Sequence, residues 1–283
     1  LKEINTVLPV PPLPETLRKL VDWVAEYTVT KHGAMLRMAM SVPQALEPAK
    51  MRTAYLTGET PPERLTPARR RVLELLSDGM PRGTQELARE AAVSTSVVKG
   101  LAESGGLQQI SLPAELAPEQ PDLNQPRATL SAGQSSAAAE LCARVHEDAF
   151  SVTLLDGVTG SGKTEVYFEA VAAALEANRQ VLVMLPEIAL SAQWLERFRA
   201  RFASAPLIWH SELGQRARRE TWRAVASGAA RIVVGARSSL WLPFAELGLM
   251  VVDEEHDGAF KQEDGVIYHA RDMAVMRARL EAC

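Results

Sequence analysis

The chain has 283 residues, of which 47% are hydrophobic, and this size and composition fit two globular domains with an incomplete third. The net charge of −4 gives no overall attraction for nucleic acid, and no apolar run approaches the roughly 18 residues of a membrane span. The two cysteines, Cys142 and Cys283, lack the spacing of a zinc site or a disulfide framework, which predicts inert thiols in a reducing, cytoplasmic environment.

Residues 1–58 begin with a proline cluster and continue as an amphipathic segment. Apolar residues recur there at helical spacing: Leu17, Leu20, Val21, Val24 and Tyr27. The segment starts without a methionine and without the organisation of a signal peptide, so we expect the chain to be a piece of a longer protein. No chemistry follows from these residues alone, and we interpret them as a remnant of a small domain.

Residues 65–112 contain three short amphipathic stretches followed by a candidate strand, Leu107–Leu112, a pattern that predicts a winged helix. The expected helix caps are Thr66, Thr84 and Ser94. A recognition helix normally brings several hydrogen-bond donors to a DNA groove, whereas this one carries Lys99 as its only cation. Contact with DNA and a structural or protein-contacting role therefore both stay open.

Residues 113–127 are rich in proline and poor in apolar residues, which indicates a linker. Residues 128–283 alternate between helical patterns and short apolar strands. The predicted strands are Val152–Leu155, Val181–Leu185, Leu207–Trp209, Ile232–Val234 and Leu249–Val252, and the predicted helices are Ala137–Ala149, Glu165–Ala177, Ala189–Phe202, Gln215–Ala226 and Ala270–Ala282. Continuously apolar strands between helices predict an α/β fold whose parallel sheet is covered on both faces.

The segment Gly157–Thr164 (GVTGSGKT) lies between a predicted apolar strand and a predicted helix, which is the context that a phosphate-binding loop requires. Glycines allow the backbone to turn its N–H groups toward phosphate oxygens, and the positive end of the following helix adds to this attraction. We therefore expect Lys163 to reach the β- and γ-phosphates of ATP and the Thr164 hydroxyl to ligate Mg²⁺.

Asp253 and Glu254 directly follow the apolar strand Leu249–Val252. Parallel α/β sheets bind their ligands at the C-terminal ends of the strands. Asp253 is expected to hold Mg²⁺ and Glu254 to orient and deprotonate the attacking water, a solvated acidic turn being the alternative. His256 either couples this site to the rest of the protein or is an ordinary surface histidine.

Positive charge is concentrated between Glu196 and Arg237, where nine arginines stand against three glutamates, a local balance of +6. Planar guanidinium groups suit phosphate oxygens, so this stretch is the predicted contact with a DNA backbone. Arg237 is the leading candidate because it follows a short strand, where a loop can present it to a phosphate. A solvated arginine is the alternative.

The phosphate loop and the acidic segment together resemble the superfamily-2 helicases and, within them, the primosomal replication-restart helicases of the PriA family. The matching stretches are Gly157–Tyr167 (GVTGSGKTEVY), Val183–Ser191 (VMLPEIALS), Ile232–Leu240 (IVVGARSSL), Val251–Asp257 (VVDEEHD) and Tyr268–Val275 (YHARDMAV). The resemblance implies a RecA-like P-loop NTPase lobe over residues 128–283, preceded by a winged helix and by the end of an N-terminal DNA-binding domain. The implied activity is ATP-dependent DNA unwinding or translocation in replication restart at stalled forks.

The resemblance also assigns roles to individual residues around the nucleotide. Gln134 would read the adenine edge, an exposed polar residue at a helix start being the alternative. The implied catalytic residues are Lys163, Asp253 and Glu254, and the implied nucleotide-binding set is Gln134, Gly160, Ser161, Gly162, Lys163, Thr164 and Glu165.

For DNA, the resemblance implies a single-strand track lined by Pro186-Glu187-Ile188 and Arg237-Ser238-Ser239, with His210-Ser211 beside the motor cleft. Phe260, Lys261 and Gln262 fall in an aromatic-rich loop of the family, where bases of any sequence can stack. Val266 departs from the family, because an aromatic residue is expected there.

Helicases of this class need a second motor lobe that supplies an arginine to the γ-phosphate, and the resemblance places that lobe and the family's zinc-binding cysteines outside these residues. The 283 residues alone are therefore expected to be nearly inactive. The implied partners are forked and single-stranded DNA, single-strand-binding protein and primosome proteins. Two alternatives stay open: another superfamily-2 translocase of the RecG or restriction kind, and a binding scaffold with a vestigial ATP site.

Overall fold

The computed structural model describes residues 7–8, 10, 12–48, 51–58, 65–113, 118–186 and 192–283. Its helices are α1 Glu15–Tyr27, α2 His32–Ala39, α3 Pro67–Leu75, α4 Thr84–Glu90, α5 Thr95–Glu103, α6 Ala132–His146, α7 Lys163–Glu176, α8 Ala192–Phe202, α9 Gln215–Ala226 and α10 Ala270–Glu281. Its strands are β1 Met51–Thr57, β2 Arg82–Gly83, β3 Leu107–Pro113, β4 Gln180–Met184, β5 Leu207–Trp209, β6 Ile232–Gly235, β7 Leu247–Val252, β8 Lys261–Gln262 and β9 Tyr268–His269. Residues up to 47 and from 118 onward form one compact unit, and the described residues from 48 to 113 form another.

The smaller unit joins α3, α4 and α5 to an antiparallel sheet of order β2-β1-β3. Its core is formed by side chains from all three helices and from the sheet, among them Val72, Leu87, Val98 and Leu107. This arrangement agrees with the predicted winged helix. The Thr66 side chain caps α3 by accepting a 3.3 Å hydrogen bond from the backbone N–H of Arg69.

Two predictions about the smaller unit were wrong. The N-cap of α4 is Gly83 rather than Thr84, and the Glu86 carboxylate accepts the Gly83 N–H at 3.1 Å. The boundary after residue 58 is also misplaced, because Met51–Thr57 pairs along its whole length with β3 and thus belongs to this unit. A strand pairs wherever it finds backbone partners, and β3 lies some 50 residues further along the chain.

The larger unit is built on a parallel sheet of order β5-β6-β4-β7. Alternate residues of β4 point to opposite faces. Leu182 and Met184 join a core with residues of α1, α2, α9 and α10, while Val181 and Val183 join a second core with residues of α7 and α8. Helices therefore cover both faces, as the apolar strands predicted, and the RecA-like α/β lobe is confirmed.

The predicted strand Val152–Leu155 is wrong, because residues 151–158 have no regular secondary structure. Val152 and Leu154 are 63% and 78% exposed. A strand needs a neighbour to satisfy its backbone N–H and C=O groups, and none of the described strands pairs with these four residues. The apolar pattern of Val152–Leu155 therefore did not by itself determine a place in the sheet.

The N-terminal helices pack within the larger unit, so the described part of residues 1–47 is not a separate body. Leu17, Leu20 and Val24 are fully buried in the same core as Leu182. The end of the predicted linker also packs there, since the Asp122 N–H donates to the carbonyl of Phe202 at 2.8 Å. Among the described residues, no helix is long and apolar enough to span a membrane.

Candidate nucleotide-binding site

The loop Gly157–Gly162 leads into the first turn of α7, which begins at Lys163. Gly160 and Gly162 have φ angles of 79° and 80°, in the left-handed region that favours glycine. A Cβ atom on Gly162 would also lie 2.5 Å from Nε2 of Gln134. The loop therefore needs glycine at position 162 for its backbone angle, and a side chain there would displace the amide of Gln134.

The helix behind the loop is firmly anchored, since nine of its residues are buried. Its half-buried N-terminal end carries the positive end of the helix dipole, which attracts phosphate. The Lys163 Nζ donates to the carbonyl of Gly157 at 2.6 Å. The ammonium group therefore contacts the backbone of the loop, and it is predicted to contact the phosphates of a nucleotide bound there.

Gln134, which the resemblance predicted to read the adenine edge, contacts the phosphate loop. Its Nε2 donates to the Ser161 carbonyl at 2.7 Å, and its Oε1 accepts the Ser131 N–H at 2.7 Å in a capping box at the start of α6. Both ends of the amide are occupied by the protein itself.

Asp253 lies at the C-terminal end of β7, where its N–H donates to the Met184 carbonyl of the neighbouring strand at 3.0 Å. Its Oδ2 accepts a 3.0 Å hydrogen bond from the Tyr167 hydroxyl, and its Oδ1 accepts the Glu254 N–H at 3.0 Å. Tyr167 lies three residues after Thr164 on α7, so its hydroxyl links the helix that carries one predicted Mg²⁺ ligand to the other predicted ligand, Asp253.

Tyr167 comes from the buried side of α7 and is itself 5% exposed. Burial first, and then the charge of Asp253, raise the pKa of its hydroxyl well above the usual range. The phenol therefore keeps its proton and acts as a hydrogen-bond donor to Asp253. Sequence reasoning missed this residue, because a tyrosine in an apolar helix is indistinguishable from ordinary core.

Glu254 has a φ of 51°, an unusual backbone conformation for a residue with a side chain. Such conformations cost about 1–3 kcal/mol and are concentrated at functional sites. Its side chain is 45% exposed and lies 3.7 Å from Nε2 of His256. The carboxylate is therefore open to water, as a residue that orients a water molecule must be.

The oxygen donors of this site fit Mg²⁺. In nucleotide sites this ion takes one or two protein oxygens together with phosphate oxygens, so it needs no cluster of carboxylates. The described residues contain no group of three or more His, Cys, Asp or Glu side chains that could hold a metal ion. Thr164 and Asp253 supply a hydroxyl and a carboxylate oxygen, both hard ligands.

Two of the side chains predicted to contact DNA, Arg237 and Lys261, make contacts within the protein. Arg237 donates to the carbonyls of Ala259 and Lys261, so it holds the loop that follows the acidic segment. Ser238 is exposed, and Lys261 is exposed and paired with Glu263 at 2.8 Å. Glu187 and Ile188 of the predicted single-strand track lie outside the described residues.

The stacking role predicted for Phe260 is wrong, because this ring is 1% exposed and packs in the core of the lobe. The departure at Val266 is consistent with this, since Val266 is buried in the same core. The sequence was equally compatible with a Phe260 ring packed in the core, and that is where the ring lies.

The arginine-rich stretch is also more structural than predicted. Arg201 is buried against Glu169 at 3.1 Å, Arg223 donates to the carbonyl of Ala45 at 2.9 Å, and Arg231 to that of Leu175 at 2.8 Å. Arg197 and Arg199 are exposed on α8. The positive charge facing solvent is therefore smaller than the count of arginines implied.

Comparison with known proteins agrees with this geometry. Residues 131–280 match the family described as DEAD/DEAH box helicase. The chain is 51% identical over 129 residues to a replication restart protein PriA from Rickettsia felis, covering 46% of the chain and 20% of that protein. It is 35% identical to PriA of Synechocystis, covering 97% of the chain and 32% of that protein, and 34% identical to PriA of Chlamydia pneumoniae, covering 95% and 38%.

Proposed function

Because this chain belongs to the DEAD/DEAH box helicase family, we propose that it is the ATP-binding lobe of a DNA helicase that acts in replication restart. One observation carries the proposal: the hydroxyl of Tyr167, three residues after Thr164 on α7, hydrogen-bonds with Asp253 after β7, and the glycine loop that precedes α7 has positive φ angles at Gly160 and Gly162. The chain spans about a fifth to two fifths of the length of its relatives, so the activity belongs to a longer protein.

In this proposal the phosphates of ATP bind the N–H groups of residues 160–165. Lys163 neutralises the β- and γ-phosphates, which requires its Nζ to leave the Gly157 carbonyl. Thr164 and Asp253 hold Mg²⁺, which supplies charge neutralisation on the phosphates when bound. Glu254 accepts a proton from the attacking water.

Adenine recognition by Gln134 requires a similar exchange of partners. Its Nε2 must release the Ser161 carbonyl, or the base must use only the second lone pair of Oε1. Because Gln134 contacts the loop, a nucleotide bound there is expected to change the hydrogen bonds at the start of α6.

The whole protein is proposed to act on forked and single-stranded DNA, together with single-strand-binding protein and primosome proteins. The relatives' name, replication restart protein PriA, supports the process. The second motor lobe and the zinc site of the full-length protein are proposed to come from sequence outside these 283 residues. A scaffold with a vestigial ATP site is disfavoured, because Lys163, Thr164, Asp253 and Glu254 are all present in the sequence.

Lys163→Ala is expected to weaken the binding of ATP to this chain about 10- to 100-fold, since charge-assisted hydrogen bonds contribute roughly 1.5–3 kcal/mol. Titration calorimetry of the two proteins measures this. Lys19→Ala is the matched control, because Lys19 is an exposed lysine that pairs with Glu15 on α1. Equal affinity of Lys163→Ala and the unchanged chain would reject the site.

Arg237→Ala is expected to lower DNA affinity and to reduce the log–log salt slope by about 0.7–0.9, the value for one phosphate contact. One of the two terminal nitrogens of Arg237 holds the loop, which leaves other donors of its fork for a phosphate. Fluorescence anisotropy with single-stranded and forked DNA across a salt series measures both quantities. Lys99→Ala, on α5, is the comparison, and loss of binding there with no change in Arg237→Ala would place the principal DNA contact in the winged helix.

A further inference from the structure

Three aromatic and acidic side chains form a directional chain of hydrogen bonds into the nucleotide site. The Trp194 Nε1–H donates to the Tyr167 hydroxyl oxygen at 2.7 Å, and the Tyr167 hydroxyl lies 3.0 Å from Oδ2 of Asp253. An indole N–H can only donate, and an ionised carboxylate can only accept. The single proton of the phenol is therefore directed at Asp253.

From this geometry we propose that Tyr167 is a positioning residue, which fixes the carboxylate of Asp253 for Mg²⁺ and connects it to helix α8. The proposal rests on the proposed function, because it concerns how that site holds its metal. Trp194 lies in the first turn of α8, and Asp253 ends the strand β7, so one side chain of α7 joins two further elements.

The Tyr167 hydroxyl lies in an apolar core. Tyr167 and Trp194 are 5% and 6% exposed, and both belong to the core that includes Phe168 and Phe198. A buried hydroxyl costs free energy unless it is hydrogen-bonded, and phenylalanine would fill nearly the same volume without that cost. The hydroxyl of Tyr167 meets this requirement through Trp194 and Asp253, and the second of these bonds reaches the predicted metal ligand.

The hydrogen bonds around Tyr167 also leave the predicted metal ligands free to act. Asp253 accepts one hydrogen bond on each oxygen, from Tyr167 and from the Glu254 N–H, and a carboxylate has about four lone-pair sites. Each oxygen therefore keeps a lone pair for a cation. Removing a residue that hydrogen-bonds to a metal ligand without touching the metal typically changes metal affinity 10- to 100-fold.

Tyr167→Phe deletes one oxygen atom and tests the proposal. We would titrate the chain with ADP by calorimetry, across a Mg²⁺ series and in EDTA. The Mg²⁺ concentration at half-effect is expected to rise about 10- to 100-fold, while ADP affinity in EDTA stays unchanged. Tyr268→Phe is the matched control, since Tyr268 is 4% exposed and accepts a 3.0 Å bond from the Trp241 indole.

The control separates positioning from stability. Both variants remove a hydroxyl that accepts a hydrogen bond from an indole N–H, so both are expected to lower thermal stability, but only Tyr167→Phe should change the Mg²⁺ dependence. If Tyr167→Phe fails to fold, Trp194→Phe tests the same chain, and its Mg²⁺ requirement should rise at least about 3-fold because the phenol loses the donor that orients it. An unchanged Mg²⁺ requirement in the variant tested overturns the proposal, whereas a wild-type chain that binds no ADP refutes the proposed function instead.

Discussion

At saturating ATP and DNA, these 283 residues are expected to hydrolyse ATP about 10³- to 10⁵-fold more slowly than a longer protein that carries the second motor lobe. That factor is the usual contribution of an arginine supplied to the γ-phosphate from another lobe or protein. The chain covers only 20–38% of the relatives compared above, so most of such a protein lies elsewhere. The rate is measured as phosphate release from both proteins with and without forked DNA.

The comparison has a built-in check on folding. The shorter chain should still bind ADP with an affinity within a few-fold of the longer protein, because the phosphate loop is complete in it. Robust DNA-stimulated turnover by the 283 residues alone would contradict the expectation and would require an arginine from the lobe itself or from a second copy of the chain.

Glu254→Gln in the longer protein is expected to lower DNA-stimulated ATP turnover about 10²- to 10⁴-fold, the contribution of a positioned general base. Glutamine keeps the shape of the side chain but cannot accept the proton of the attacking water. ATP affinity should change little, because Asp253 rather than Glu254 is expected to hold the metal. Steady-state kinetics and a binding titration separate the two quantities.

Glu255→Gln is the matched control for this prediction. Glu255 is the next residue, but its carboxylate pairs with Arg271 at 2.7 Å and so serves the contact with α10. Its loss should reduce turnover far less than the loss of Glu254. If the two variants lost turnover equally, the acidic segment would act as a unit, and the role of Glu254 as base would be untenable.

Sequence reasoning placed the parallel sheet and the phosphate loop well because both depend on local patterns. The strands β5 and β6 and the helix α9 were located to within a residue, since each is a short run with a clear apolar or amphipathic pattern. The glycines of the loop predicted a tightly turning backbone, and Gly160 and Gly162 have positive φ angles.

The errors fall where distant parts of the chain decide the outcome. The pairing of β1 with β3 joins segments far apart in sequence, so it could not be read from either one. Aromatic rings and arginines are suited to DNA contacts. In this fold, however, Phe260 is buried in the core, and Arg223 and Arg231 donate to backbone carbonyls. Composition shows what a side chain is able to do, whereas its neighbours determine what it does.

The central claim, that the loop 157–164 binds the phosphates of ATP, is tested most directly by a crystal structure of the chain with ADP and Mg²⁺. The account predicts the β-phosphate on the backbone N–H groups of residues 160–165, with Lys163 Nζ moved from the Gly157 carbonyl to a phosphate oxygen. It also predicts Asp253 still within hydrogen-bond distance of the Tyr167 hydroxyl. ADP bound elsewhere, or bound while Lys163 keeps its contact with Gly157, would contradict the account.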